Sequence, residues 1–335
     1  MKKILLLLVS VFFLKVSYSQ WSPELGLSVG ATNFFGDLGN ERYFPFHSTR
    51  WGSMVTFRNF LNNPAWSGVV NRAFDVEARL SYHRLGYDET APIANYKGYE
   101  LRNYGRGLSF RNDVIGFSSH VTLTHYRNKF VPLYKQTVAF YIFAGIGIYY
   151  SNPKADLFSG AIDINNRYYF WSDGTTRDQH ESTGKGNIIE KDGIYETTLR
   201  DWFTEGQGAG DEFSSGGTYS QWNLSFPFGI GLKYGIDKRW TLSAEMSVYN
   251  FTTDFLDDVS DRYASYQEIR NTFPNDPVKQ ELAIYISDPT GKGTNGVPGP
   301  QTSPRGNPKK NDMFSYVGFE LSYKFSGKMP NIYLK

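Results

Sequence analysis

From Trp222 to Tyr234 every second residue is apolar: Trp222, Leu224, Phe226, Phe228, Ile230, Leu232 and Tyr234, with Asn223, Ser225, Pro227, Gly229, Gly231 and Lys233 between them. Successive side chains of a strand point to opposite faces, so this segment offers one face to an apolar medium and the other to a polar one. Its length matches what a tilted strand needs to cross a bilayer's hydrocarbon. The same period recurs elsewhere. Leu25, Leu27, Val29 and Ala31 alternate with Glu24, Gly26, Ser28 and Gly30, and a weaker stretch at 49–60 carries Trp51, Val55 and Phe57. Phe74, Val76, Ala78, Leu80 and Tyr82 alternate with Asp75, Glu77, Arg79, Ser81 and His83. Further stretches lie at 113–126 (Ile115, Phe117, Val121, Leu123), at 137–150, which is apolar on both faces, at 240–251 (Leu242, Ala244, Met246, Val248) and at 314–325 (Val317, Phe319, Leu321, Tyr323, Phe325). Eight such segments predict an antiparallel up-and-down transmembrane β-barrel of eight strands. Pro227 gives no ladder N–H, so a bulge or bend is expected there.

No later segment approaches the 18 apolar residues of a spanning helix, so membrane residence requires a barrel. A soluble all-β domain would show the same alternation around a core. Three features favour the membrane. Residues 1–19 have the grammar of a cleaved signal peptide: Lys2 and Lys3, an apolar run at 4–14, and Ser17 and Ser19 before Gln20. Aromatics stand at strand ends (Trp51, Tyr82, Tyr150, Trp222, Tyr234, Trp240, Tyr323) as interface girdles do, and Gly, Ser and charged residues occupy the opposite face. Loss of Lys2, Lys3 and Lys15 with the signal leaves 32 basic and 33 acidic residues, a balance that gives nucleic acid no basic face. The chain has no Cys, which excludes disulfides, thiolate metal sites and a Cys nucleophile.

The joins alternate in length. Those at 84–112, 151–218 and 252–313 are long to very long, 127–136 and 235–239 are short, and 36–48 and 61–73, equal in length, are assigned to the long and the short side by the alternation. Bacterial outer-membrane barrels keep turns short on the periplasmic side, so the long loops are expected outside the cell and both termini, with a tail at 327–335, in the periplasm. Residues 20–326 then form one barrel domain. An eight-stranded barrel is only wide enough for its own side chains. Asp75, Glu77, Arg79, Glu245, Glu320 and Lys324 are expected to point inward and pair across the interior.

Chemistry is sparse. No catalytic, cofactor-binding or metal-binding residue is expected. His47, His83, His120, His125 and His180 never fall at metal-ligand spacing, His120 and His125 face opposite sides of a strand, and no G-x-S-x-G elbow or P-loop occurs. A barrel lipase or acyltransferase would need a His, a Ser and an acid or carboxamide at one rim. The run Asp254, Asp257, Asp258 and Asp261 offers oxygen ligands for Ca²⁺ but lacks EF-hand spacing, and it reads instead as a solvated, partly helix-capping loop.

A set of strings gives the chain a resemblance. FGDL (35–38), FAGIGIYYSNPKA (143–155), TEGQG (204–208), YSQWNLSFPFGIGLKYGI (219–236), TDFLDDVSDRY (253–263) and RGNPKKND (305–312) closely resemble the PorG-like outer-membrane barrels of the type IX secretion system in Bacteroidota, over residues 21–326. The resemblance implies a non-enzymatic, integral outer-membrane component that associates with a periplasmic ring lipoprotein and its partner subunit, in a machine for protein export and gliding. Segments 156–203 and 261–303 and the tail after Phe325 depart from the compact pattern as expansions. The alternative is an independent small barrel that binds a surface ligand or partner through its loops. By loop length the shared strings fall on the outer face, whereas a periplasmic ring would meet the short turns and tail. The strings are therefore expected to pack as a cap, with Asp254, Asp257 and Asp258 pairing with Arg305, Lys309 and Lys310.

Overall fold

The computed structural model describes residues 23–38, 48–60, 74–90, 104–125, 133–136, 138–209, 217–291 and 304–325. The signal segment, the tail and most of two short turns lie outside them. Eight long strands form the frame: β1 (Pro23–Phe35), β2 (Arg50–Phe60), β3 (Phe74–Asp88), β4 (Ser109–His125), β5 (Val138–Tyr150), β6 (Trp222–Gly235), β7 (Trp240–Phe251) and β8 (Met313–Lys324). Each pairs antiparallel with its sequence neighbours, and β8 returns to β1 in the register Leu27↔Leu321, Ala31↔Val317 and Phe35↔Met313. The sheet is closed, so no edge strand is left unpaired.

The outward face is the apolar half of each alternation. Phe319 is 64% exposed, Leu27 and Val29 62%, and Trp222 60%, and comparable exposure continues around every strand. A continuous apolar belt on a closed barrel is stable against hydrocarbon, not water. Aromatic pairs mark its limits: Trp51 with Tyr82 and Tyr150 with Trp222 at the long-loop end, and Trp240 with Tyr323 at the short-turn end. Among the described residues no helix is long and apolar enough to span a membrane.

The inward face is a filled, charged lumen. Arg58, 1% exposed, donates from Nε to Glu77 at 2.6 Å, from Nη1 to Glu24 at 2.8 Å and from Nη2 to Glu320 at 2.9 Å. Arg79 binds Glu77 at 2.7 Å and Glu245 at 2.8 Å, lies 4.4 Å above the Phe143 ring, and shares Glu245 with the Tyr141 hydroxyl at 3.0 Å. Nearer the short turns, Lys233 pairs with Asp75 at 3.1 Å. Toward the long loops the charges give way to packed rings: His83, Tyr249, Phe314, Tyr316 and Tyr149, with Phe34 on Phe110 above them. Gly116 is what lets the Tyr149 ring lie against the wall, since a Cβ there would enter it.

Five of the six expected inward charges join this network. Lys324 stands half-buried at its strand's end. The network also uses Arg58, Glu24 and Lys233, which were not among the expected inward charges; Arg58 follows Phe57 in the weakest alternation, and its parity is the one signal that could have found it. Two structural expectations are corrected. Pro227 makes no bulge: β6 keeps the register Ser225↔Gly147 and Phe228↔Ala144 across it and simply omits the two intervening pairs, while its pairing to β7 is unbroken. The β3–β4 hairpin also runs past His83, with pairs from Arg84↔Asp113 to Asp88↔Ser109, so the loop is 89–108. Above the belt both faces of this hairpin are covered, and alternation no longer marks the strand.

Candidate functional site

The described parts of the four joins at the long-loop end build a lid over the barrel mouth. Their sequences are rich in Asp and Gly, which favour turns, and poor in long apolar runs. The lid is accordingly held by side chain-to-backbone hydrogen bonds around a few buried charges. Two helices, α1 (Tyr266–Thr272) and α2 (Pro277–Ser287), stiffen it. Ser265 caps α1 in a reciprocal capping box with Glu268, and Asp276 caps α2 through the Lys279 N–H. The buried side of α2 faces the loop after β5: the Tyr285 hydroxyl donates to the Leu157 carbonyl at 2.9 Å, and the Ser287 hydroxyl to the Thr204 carbonyl at 2.5 Å.

At the centre lies Arg305, 2% exposed. It pairs with Glu205 at 3.1 Å and with Asp258 at 3.7 Å, and donates to the Asp258 carbonyl. Asp258 has a left-handed backbone (φ 67°), which its carboxylate helps to hold by accepting from Thr204 at 2.5 Å and Tyr219 at 2.7 Å. Glu205 also accepts the Ser260 N–H at 2.8 Å. The turn carrying Glu205 needs a left-handed residue at 206, and Gly206 has φ 74°. Arg106, paired with Glu89, donates to the carbonyls of Arg305 at 2.8 Å and Asp37 at 3.2 Å. The Asp37 carboxylate accepts the Asn307 N–H at 2.7 Å, so close to Gly306 that any Cβ there would strike it. Asp257 accepts the N–H groups of Leu38 at 3.2 Å and Val259 at 3.0 Å, and Asp312 accepts that of Leu256 at 2.8 Å.

These contacts bring FGDL, TEGQG, TDFLDDVSDRY and RGNPKKND, together with the start of the β6 string at Tyr219, into one hydrogen-bonded unit. The acidic run is buried rather than solvated: Asp257 and Asp258 are 1% exposed and Asp254 8%, and of the four acids Asp261 alone faces solvent. Only part of the expected pairing forms. Arg305 engages Asp258, but Lys309 and Lys310 are exposed and have no ion pair among the described residues. Their place is taken by backbone N–H groups and by the hydroxyls of Thr204 and Tyr219. No local spacing signalled Thr204 and Tyr219, which lie 54 and 39 residues from Asp258.

Burial sets the protonation of the lid. It pushes the Asp254 carboxyl up to about 8 against an opposing contact from the Ser260 side chain, aided by the charges of Asp37 and Glu205. Burial likewise raises Asp257 and Asp312 well above the carboxylate range, reinforced in both by Asp37 and Asp254. Glu205 is pushed up to about 7 by burial although Arg305 opposes the shift. The lid interior thus holds protons at pH values where exposed carboxylates have lost them. The run Asp254 to Asp261 does not gather as a cation site, since Asp257 and Asp258 turn their oxygens to separate donors.

In the lumen, His120 Nε2 lies 2.7 Å from the Ser118 hydroxyl, while its Nδ1 has no hydrogen-bond partner. The pair is enclosed by the barrel wall, away from the rim, and among the described residues no third group hydrogen-bonds the imidazole to orient it.

No protein-family model matches the sequence, and no curated protein matches it. Among solved structures, the barrel is similar to Neisserial surface protein A (TM-score 0.35, 8% identity, 91% of this chain and 97% of that one). Ail, the attachment invasion locus protein of Yersinia pestis, is similar at TM-score 0.33 and 8% identity, over 91% of this chain and 99% of its own. A major outer membrane protein from Thermus thermophilus is similar at TM-score 0.35 and 11% identity, over 90% of this chain and 99% of its own.

Proposed function

We propose that this chain is a non-enzymatic, integral outer-membrane component of a type IX secretion system, of the PorG-like kind, that anchors or assembles the periplasmic ring. The observation that carries the reading is the convergence of five of the six family-like strings: separated by up to 270 residues, they meet in the single buried unit around Arg305, Asp258 and Asp37. Strings that shape a lid and approach no reactive group suit a scaffold. The filled lumen points the same way, because a barrel packed with Arg58, Arg79 and their carboxylates offers no wide path for diffusion. In this reading the lid faces outward and both termini face the periplasm. The ring lipoprotein and its partner subunit would meet the short-turn end, where Asp237 and Lys238 are exposed.

The test is a mild-detergent pull-down through an epitope inserted at the exposed Gly184–Lys185 turn, with mass spectrometry of what co-purifies, alongside secretion in a deletion strain. Recovery of a ring lipoprotein and loss of secretion support the reading; a partner-free barrel with normal secretion refutes it. A second reading, binding of a surface ligand through the loops, is favoured by a cleft of about 290 Å³ beside α2, lined by Tyr169, His180, Tyr266, Glu281 and Asp288. Normal secretion combined with a binding defect on filling that cleft would select it.

A further inference from the structure

The loop after β5 leaves the lid through a two-pair ladder, Lys154↔Thr198 and Ala155↔Thr197, and between these ends residues 156–196 form a lobe with its own small hairpin, Tyr169–Phe170 on Thr176–Arg177. At the base of the lobe three carboxylates converge. Asp156 directly follows one strand of the ladder, Glu196 directly precedes the other, and Asp192 comes from the turn between. One oxygen from each lies within 4.8 Å of the other two.

Like charges gather this closely only against a cost, and the local hydrogen bonds do not use all of their capacity. Asp156 is 3% exposed; its Oδ2 accepts the Gly193 N–H at 2.9 Å, while Oδ1 is buried with no partner. Glu196 Oε1 accepts the N–H groups of Leu157 at 3.0 Å and Phe158 at 3.2 Å, while its Oε2 is likewise buried and unpartnered. Asp192 is held by the N–H groups of Gly160 at 2.9 Å and Ile194 at 2.8 Å. Lys191 is the cation that acts on Asp156, but its ammonium is committed to Asp88 of the β3–β4 hairpin at 3.1 Å. Three acids fixed by backbone donors, with two buried oxygens left over, present an oxygen-only ligand set to a hard cation.

We infer that Asp156, Asp192 and Glu196 bind a calcium ion that staples together the two ends of the 156–196 lobe at its base. One oxygen from each acid is near enough to the other two for a single ion to be shared by all three, and the all-oxygen set suits a hard cation such as Ca²⁺. Three carboxylates leave room for water in a six- to eight-coordinate shell, which Ca²⁺ accepts more readily than the octahedral Mg²⁺. The ion joins both ends of the lobe, so its effect is on the lobe's closure and not on the barrel.

The test uses the full chain folded in detergent micelles, with Ca²⁺ followed by calorimetry and Tb³⁺ by luminescence. Tyr168, whose hydroxyl accepts the Asp192 N–H at 3.0 Å, is placed to sensitise Tb³⁺. One Ca²⁺ is expected per chain, with a Kd of about 10⁻⁴–10⁻³ M, the weak end for oxygen-ligand sites, because three carboxylates leave much of the shell to water. Asp156→Asn with Glu196→Gln should weaken binding at least tenfold, and Asp254→Asn in the lid should leave it unchanged. No binding by the unmodified chain up to about 10 mM, above that range, would overturn the assignment, as would equal binding by the double variant. Should that variant not fold, protease mapping of the unmodified chain decides: Ca²⁺ is expected to slow cleavage within 156–196 relative to EDTA, and equal cleavage overturns the site. None of these readouts depends on which compartment the lid faces or on any secretion partner.

Discussion

Arg58 is where the lumen is most exposed to failure, because one fully buried guanidinium satisfies three carboxylates from three other strands. Replacing it with Met keeps much of the volume and removes the charge. Glu77 retains Arg79 at 2.7 Å, and Glu24 retains the Ser322 hydroxyl, but Glu320 loses its ion-pair partner. Breaking one side of a buried ion pair costs about 3–5 kcal/mol. With a urea dependence of about 2 kcal/mol per molar, the midpoint should fall by about 1.5–2.5 M. The measurement is the folded-to-unfolded band shift on unheated gels across a urea series, with the protein in phospholipid vesicles. Adding Glu320→Gln to Arg58→Met should restore about 1 kcal/mol or more relative to the sum of the single changes, because the two residues are in direct contact. A midpoint shift below about 0.5 M for Arg58→Met, against the expected loss, would refute the claim that these pairs hold the barrel's interior together.

The lid supplies further tests. Lys309→Glu with Lys310→Glu should leave the protease pattern of the lid unchanged because both lysines are exposed and make no ion pair among the described residues, whereas Arg305→Met should make 253–263 cleavable by stranding Glu205 and Asp258; the opposite order would place the lid's anchor at the wrong residue. The lid should also loosen as pH rises. Asp254 (about 8) and Glu205 (about 7) keep protons in the folded state that the unfolded chain releases near pH 4, so between these values stability falls by up to about 1.4 kcal/mol per pH unit for each group. Protease lag times in EDTA should therefore be longer at pH 5.5 than at pH 8, with Asp254→Asn flattening the difference; a longer lag at pH 8 contradicts the assignment. In the wall, Gly116→Val should destabilise the barrel by forcing Tyr149 out of its place, and Tyr149→Ala in the same chain should relieve part of that loss on the same gel assay.

What the chain revealed in advance, and what it did not, divides along the range of the interactions. The barrel rests on a repeating local signal: Trp222 to Tyr234 alternates because each residue faces lipid or lumen, and the neighbour two positions away suffices to show it. Strand pairing follows from order alone in an up-and-down barrel, so the closing pair β1–β8 needed no long-range signal. The lid has no period. Asp258 is held by Thr204 and Tyr219, and Asp37 by Asn307, across separations that no spacing rule spans, and the acidic run therefore reads as solvated although most of it is buried. The trio Asp156, Asp192 and Glu196 is an extreme case: two members lie four residues apart, and the third joins them only because the ladder Ala155↔Thr197 returns the chain to its starting point. A calcium site made this way depends on the lobe closing, and the lobe's closure in turn depends on neutralising three like charges at its base. Binding and local folding are thus one equilibrium. Removing the ion and replacing the acids with their amides should then have opposite effects on the lobe, the first opening it and the second relieving the repulsion. Protease mapping in EDTA distinguishes them, since Asp156→Asn with Glu196→Gln should resist cleavage there better than the unmodified chain.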